Sequence, residues 1–186
     1  MKTTAKFLIG FITWVFVSQV ASSNELPDTI DSIRSSIVGV GTVMPVKGVN
    51  KKGPPVKFKG TGFVVGNGRQ VITNYHVIPE TLDSENKERL VIFSGRGKSA
   101  KAYEARLLRS DKDHDLALLE ISGKKLPAMA LGNGTSVREG SEVAVTGFPI
   151  GMVLGVYPVT HKGIIAAITP IVIPAISSRS LTAQQI

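Results

Sequence analysis

The chain has 186 residues, 42% of them hydrophobic, with 19 glycines, 10 prolines and a formal charge of +8. That makeup belongs to a loop-rich folded protein of one domain, or one domain and part of another, and excludes a disordered chain. There is no cysteine, which rules out disulfides, a thiol nucleophile and any thiolate metal site.

The chain opens with Lys2 and Lys6 and continues with an uncharged apolar run from Phe7 to Val17. Small residues follow at Val20-Ala21-Ser22 and Ala21-Ser22-Ser23, so residues 1–23 are expected to be a signal peptide. The run is shorter than the ~20 residues of a membrane span, and no stable span is expected. An uncleaved N-terminal anchor is the alternative. Either way the folded part is expected to be exported, to a periplasm or to the exterior.

Residues 24–35 are expected to be a linker with one helical turn, Pro27 and Asp28 standing near its start. Ile37 to Val43 predicts the first strand, with a bend or bulge at its glycines. Pro45 to Pro55 predicts a loop. Gly60 to Val65 and Gln70 to Asn74 predict a hairpin around the tight turn Gly66-Asn67-Gly68. Val77 to Glu85 leaves room for a helical turn. Leu90–Phe93, Ala102–Leu108 and Leu116–Ile121 predict three further strands. Short strands at this spacing predict a closed or sandwiched β architecture. Pro127 and Gly132-Asn133-Gly134 then mark a connection, and Glu142–Thr146 and Val159–Ile168 begin a second set.

Basic residues cluster at Lys47, Lys51, Lys52, Lys57 and Lys59, and again at Arg96, Lys98 and Lys101. Both groups lie in Gly/Pro/Ser-rich stretches expected to be solvated loops. A polyanion or anionic membrane is the rival partner. Too few aromatics are interleaved to stack bases, so nucleic acid is not expected.

Two stretches carry chemistry. Val71-Ile72-Thr73-Asn74-Tyr75-His76-Val77 places a histidine where a buried strand ends. Asp113-His114-Asp115 places acids at the mouth of the apolar strand Leu116–Ile121. Acyl transfer from a serine needs a base, a carboxylate to hold that base in the right tautomer, and donors for the oxyanion. Histidine suits the base because its ordinary pKa lies near neutrality. Strand alternation puts Asp115 on the side of Ala117, Leu119 and Ile121, with Asp113 on the same side one step further out. His161 is expected in a surface or strand-end role rather than as a metal ligand or pH-sensitive group, since no second histidine or acid lies at ligand spacing.

In their order these segments resemble the trypsin-like serine proteases, and most closely the HtrA branch. The resemblance rests on Gly60-Thr61-Gly62-Phe63-Val64-Val65, Thr73-Asn74-Tyr75-His76-Val77 and Asp115-Leu116-Ala117-Leu118-Leu119. It continues in Thr146-Gly147-Phe148-Pro149-Ile150-Gly151 and Val159 to Ala167. Phe148 and His161-Lys162 depart from the pattern. The resemblance implies an all-β, trypsin-like double β-barrel, with a first barrel complete over residues 36–122 and a second begun at 123–186 and incomplete. It assigns His76 as general base and acid, and Asp115, directly before the Leu-Ala-Leu-Leu strand, as its orienting carboxylate.

The family's Gly-Asn-Ser-Gly-Gly segment is absent from these residues. Ser136 and Ser141 lack its flanking glycines, so the nucleophile is expected beyond Ile186. These residues alone are then expected not to cleave peptides. The resemblance also implies protein or peptide substrates, unfolded ones above all, no cofactor or metal, and room for a homo-oligomer. Two rivals stand beside it: a non-catalytic binding module on the same fold, and an unrelated basic β-barrel that binds anionic polymers.

Overall fold

The computed structural model describes residues 25–45, 56–149 and 156–168. The expected signal peptide, the Lys47, Lys51 and Lys52 cluster and most of the Pro45–Pro55 loop lie outside the described residues. Among the described residues no helix is long and apolar enough to cross a membrane.

Six strands form a closed barrel: β1 (Ile37–Val43), β2 (Val56–Val65), β3 (Gln70–Asn74), β4 (Arg89–Ser94), β5 (Lys101–Asp111) and β6 (Leu116–Ile121). Their order around the barrel is β1-β2-β3-β6-β5-β4, and every pairing is antiparallel, with β4 closing on β1. The expected hairpin is β2–β3. Its turn has Gly66 and Gly68 at φ 57° and 82°, a left-handed path that glycine takes at no steric cost. The bulge expected in the first strand lies between Val40 and Gly41. A Cβ on Gly41 would stand 2.4 Å from the Lys57 carbonyl oxygen, so only glycine lets the two backbones approach this closely.

Several elements differ from the sequence expectation. The supposed linker holds a nine-residue helix, α1 (Glu25–Ile33), followed by a 3-10 turn at Arg34–Ser36. Leu26, Ile30 and Ile33 fall on one stripe and are half-buried, lining a cleft with Val143 and Ala144. Pro27 is tolerated because the first turn of a helix has no intrahelical use for its N–H. Lys57 and Lys59, expected in a loop, lie in the first half of β2, where Val56 and Phe58 alternate with them as half-buried partners. Finally, β5 runs on to Asp111, absorbing one residue in a bulge between Leu107 and Arg109.

The barrel interior is packed with Val38, Val40, Val64, Val71, Val77, Leu90, Ile92, Leu119, Ile121 and Leu126. Few aromatics are needed because β-branched and leucine side chains fill a small barrel. A carboxylate closes one edge. The Glu88 side chain is 7% exposed; its Oε1 accepts Thr42 Oγ1–H at 2.6 Å and lies 3.3 Å from Lys57 Nζ, and its Oε2 accepts the Asp83 amide at 3.0 Å. The Thr42 hydroxyl, then the Asp83 amide, outweigh desolvation and with Lys57 hold the Glu88 pKa below its ordinary value.

A depressed carboxyl pKa stabilises the fold above the unfolded-state pKa, and that contribution is lost as pH falls through the folded value. Glu88→Gln is therefore expected to destabilise by about 2 kcal/mol at neutral pH, the scale of hydrogen bonds to a charged group. The gap to wild type should close in the acid range. Denaturant unfolding at both pH values checks this. An equal gap at both would deny the carboxylate its role.

Beyond the barrel, β7 (Glu142–Gly147) and β8 (Val159–Ile164) form an antiparallel hairpin. The expected Val159–Ile168 strand stops at Ile164. Phe148 and Val156 join Val91 and Phe93 in a second apolar cluster against Ile37 and Phe58. Phe58 meets the Phe148 ring edge-on at 5.6 Å between centroids. The Phe148 amide donates to Thr61 Oγ1 at 2.8 Å, and Thr73 Oγ1 donates to the Thr61 carbonyl at 2.8 Å. Thr61 thus ties the turn after β7 to the end of β3, one residue before Asn74.

Candidate active site

β3 delivers the histidine. Its β-branched residues Val71 and Thr73 are buried against the barrel, and the strand ends at Asn74, where the chain enters a 3-10 turn over Tyr75–Val77. Val77 is buried and pins the turn, leaving the His76 side chain 71% exposed on the rim.

β6 delivers the acid, but not by strand alternation. Asp115 lies outside the strand at φ 52°, a left-handed conformation that aspartate and asparagine accept more readily than other side chains. The backbone reversal, not the two-residue period, swings its carboxylate toward the end of β3. There Oδ2 stands 2.6 Å from His76 Nδ1 and Oδ1 accepts the His76 amide at 2.9 Å. The Asp115 carbonyl accepts the Tyr75 amide at 3.0 Å. Desolvation raises the Asp115 pKa, yet the His76 amide and ring and the Asn74 side chain together bring it below the ordinary value. The group remains a carboxylate at neutral pH. It therefore accepts from Nδ1–H, and the lone pair of the imidazole is left on Nε2.

Asp111 of the same loop is occupied elsewhere. Asp111, at the end of β5, holds His114 Nδ1 at 2.8 Å and the His114 amide at 3.1 Å. The His114 ring, then the His114 amide, lower its pKa. Lys112 Nζ lies over the Tyr75 ring, 5.3 Å from the centroid. His161 sits on β8 opposite Val145, exposed and far in sequence from the pair. Ser136 Oγ donates to the Asn133 carbonyl and Ser141 Oγ accepts the Arg138 amide, so each serves its own turn. Among the described residues no three His, Asp or Glu side chains are grouped to hold a metal. Sequence reasoning passed over Asn74 as a site residue; its Nδ2 lies 3.2 Å from both the carbonyl and Oδ2 of Asp115.

Comparison with known proteins places the fold and the family. Residues 60–184 match the family model of the trypsin-like peptidase domain. The chain is 30% identical over 149 residues to a probable periplasmic serine endoprotease, DegP-like, of Pseudomonas savastanoi pv. phaseolicola, covering 80% of this chain and 28% of that protein. It is 28% identical over 130 residues to serine protease HTRA1 of Xenopus tropicalis, covering 69% of this chain and 26% of that protein. The chain therefore spans about a quarter of the length of these curated relatives. Among solved structures, the HtrA-type protease AlgW with decapeptide superposes with a TM-score of 0.60 at 22% identity, covering 76% of this chain and 45% of that one. That likeness shows the trypsin-like double-barrel fold and sets aside an unrelated basic barrel. The chain belongs to the trypsin-like peptidase family, in its HtrA branch.

Proposed function

We propose that these residues supply the acid–base half of an exported serine endopeptidase acting on proteins or peptides, unfolded ones above all. The observation that carries the reading is the 2.6 Å contact between His76 Nδ1 and Asp115 Oδ2, made while most of the imidazole stays open to solvent. With Nδ1–H donated to Asp115, Nε2 can take the proton of a serine hydroxyl as its oxygen attacks the peptide carbonyl. His76 then returns that proton to the leaving amine. The second half repeats with water: Nε2 takes a water proton, hydroxide adds to the acyl ester, and the proton goes back to the serine oxygen.

The 186 residues contain no Gly-Asn-Ser-Gly-Gly segment, so the proposed chemistry requires a serine from outside this sequence. The boundaries 1–23, 24–35, 36–122 and 123–186 belong to the same proposal, as does export. It is supported by the basic, then apolar, start of the chain and by the periplasmic naming of the Pseudomonas relative.

The protein translated from the complete reading frame should hydrolyse unfolded casein. His76→Ala should abolish that hydrolysis. Hydrolysis that survives the substitution, or a complete frame that carries no such serine, would mean that the barrel is a scaffold put to another use.

A further inference from the structure

Asn74 occupies the N-cap of the Tyr75–Val77 turn, where an asparagine side chain ordinarily accepts a hydrogen bond from the turn's own amides. Here it makes no such cap. Its Nδ2 reaches instead to Asp115, 3.2 Å from the main-chain carbonyl and 3.2 Å from Oδ2. Both neighbours are acceptors only, so the nitrogen of the amide must face them, and its two hydrogens match the two acceptors.

The same two atoms carry the rest of the site. The Asp115 carbonyl accepts the Tyr75 amide, and Oδ2 accepts the His76 ring. Asp115 meanwhile holds a left-handed backbone, which aspartate accepts more readily than most side chains but which still costs free energy unless its surroundings favour it. We propose that Asn74 is a positioning residue. By bridging the carbonyl and the carboxylate of Asp115, it holds the left-handed turn and selects the carboxylate rotation that presents Oδ2 to His76 Nδ1. Its catalytic consequence rests on the acid–base reading above; its geometric part does not.

Asn74 is exposed, so substitutions there leave the barrel core intact. Asn74→Ala removes both donors. Asn74→Asp keeps the shape, removes both donors and sets a like charge beside the carboxylate. The titrating or charged groups around that carboxylate are His76, which faces it, the Asp111–His114 pair across the loop, and Lys112 over Tyr75.

The test is a carbon-13 NMR titration of the Asp115 carboxyl in the 186-residue chain. The midpoint should move up toward the ordinary aspartate range in Asn74→Ala and further in Asn74→Asp. The thermal midpoint should stay within about 2 °C of wild type, as for a surface change of some tenths of a kcal/mol. In the serine-bearing protein, Asn74→Ala should lower kcat roughly tenfold with KM unchanged, the effect of one lost hydrogen bond to a charged group. An unmoved carboxyl midpoint in both variants overturns the proposal, and so does a shift seen only with a large loss of thermal stability. If instead His76→Ala and Asp115→Asn leave activity intact, the acid–base reading fails, and the titration still decides the role of Asn74.

Discussion

Asp115→Asn is expected to lower kcat of the serine-bearing protein by about ten-thousandfold, the loss seen when the orienting carboxylate of such a triad becomes an amide. The geometry gives the reason. The carboxylate receives three donors at once: the His76 amide on Oδ1, and the His76 ring with Asn74 Nδ2 on Oδ2. An amide has one acceptor oxygen, so its NH2 group must meet a donor. The imidazole relieves that clash by making Nδ1 the acceptor, which moves the proton to Nε2 and removes the base. The backbone is not the cause, because asparagine tolerates the left-handed conformation of Asp115 nearly as well as aspartate does. Steady-state kinetics on an unfolded protein substrate, with circular dichroism as the fold control, measures this. A fall of less than about tenfold, well short of the triad precedent, would remove Asp115 from the mechanism.

Leu119→Ala should produce the largest loss of stability, about 3 kcal/mol. Leu119 is fully buried at the centre of the barrel, paired across β6 with Val71 of β3 and Leu107 of β5. Large-to-small changes at such sites forfeit both transfer free energy and the contacts around the cavity left behind. Barrel walls hydrogen-bonded on both sides cannot collapse to fill it. For a chain of this size that corresponds to a thermal midpoint lower by about 6–12 °C. Because β6 starts directly after Asp115 and pairs with the strand that ends at Asn74, thermal inactivation should follow the same midpoint. Differential scanning calorimetry checks the prediction, and a loss below about 1 kcal/mol, under the range for such sites, would mean that the site repacks.

The sequence was most legible where a short-range pattern coincided with burial. β1, β3 and β6 have the bounds that their β-branched and leucine-rich runs predict, and the bulge at Gly41 follows from glycine in a strand. The first half of β2 was hidden because Lys57 and Lys59 beside glycines and prolines look like a solvated loop. What makes it a strand is distant, the packing of Phe58 on Phe93 and Phe148. α1 was hidden for a similar reason. Nine residues cannot hold a helix by propensity alone, and its apolar stripe acquires meaning only beside β7. At the site, the motif order named His76 and Asp115. It did not reveal that Asp115 leaves the strand path, nor that Asn74 spends its side chain on Asp115 rather than on its own turn. A left-handed residue other than glycine carries no local signature, and a hydrogen bond across 41 positions carries none either.

The most direct measurement is the rate at which a fluorophosphonate probe phosphonylates the proposed nucleophile in the serine-bearing protein, with loss of fluoride, compared with its His76→Ala variant. The probe reports activation of the nucleophile without depending on substrate binding or product release. If His76, oriented by Asp115, is the base, wild type labels at a single serine, and the variant labels at least a thousandfold more slowly, on the order of the loss from disabling a triad base. Equal labelling of the two proteins, or none in wild type, would contradict it.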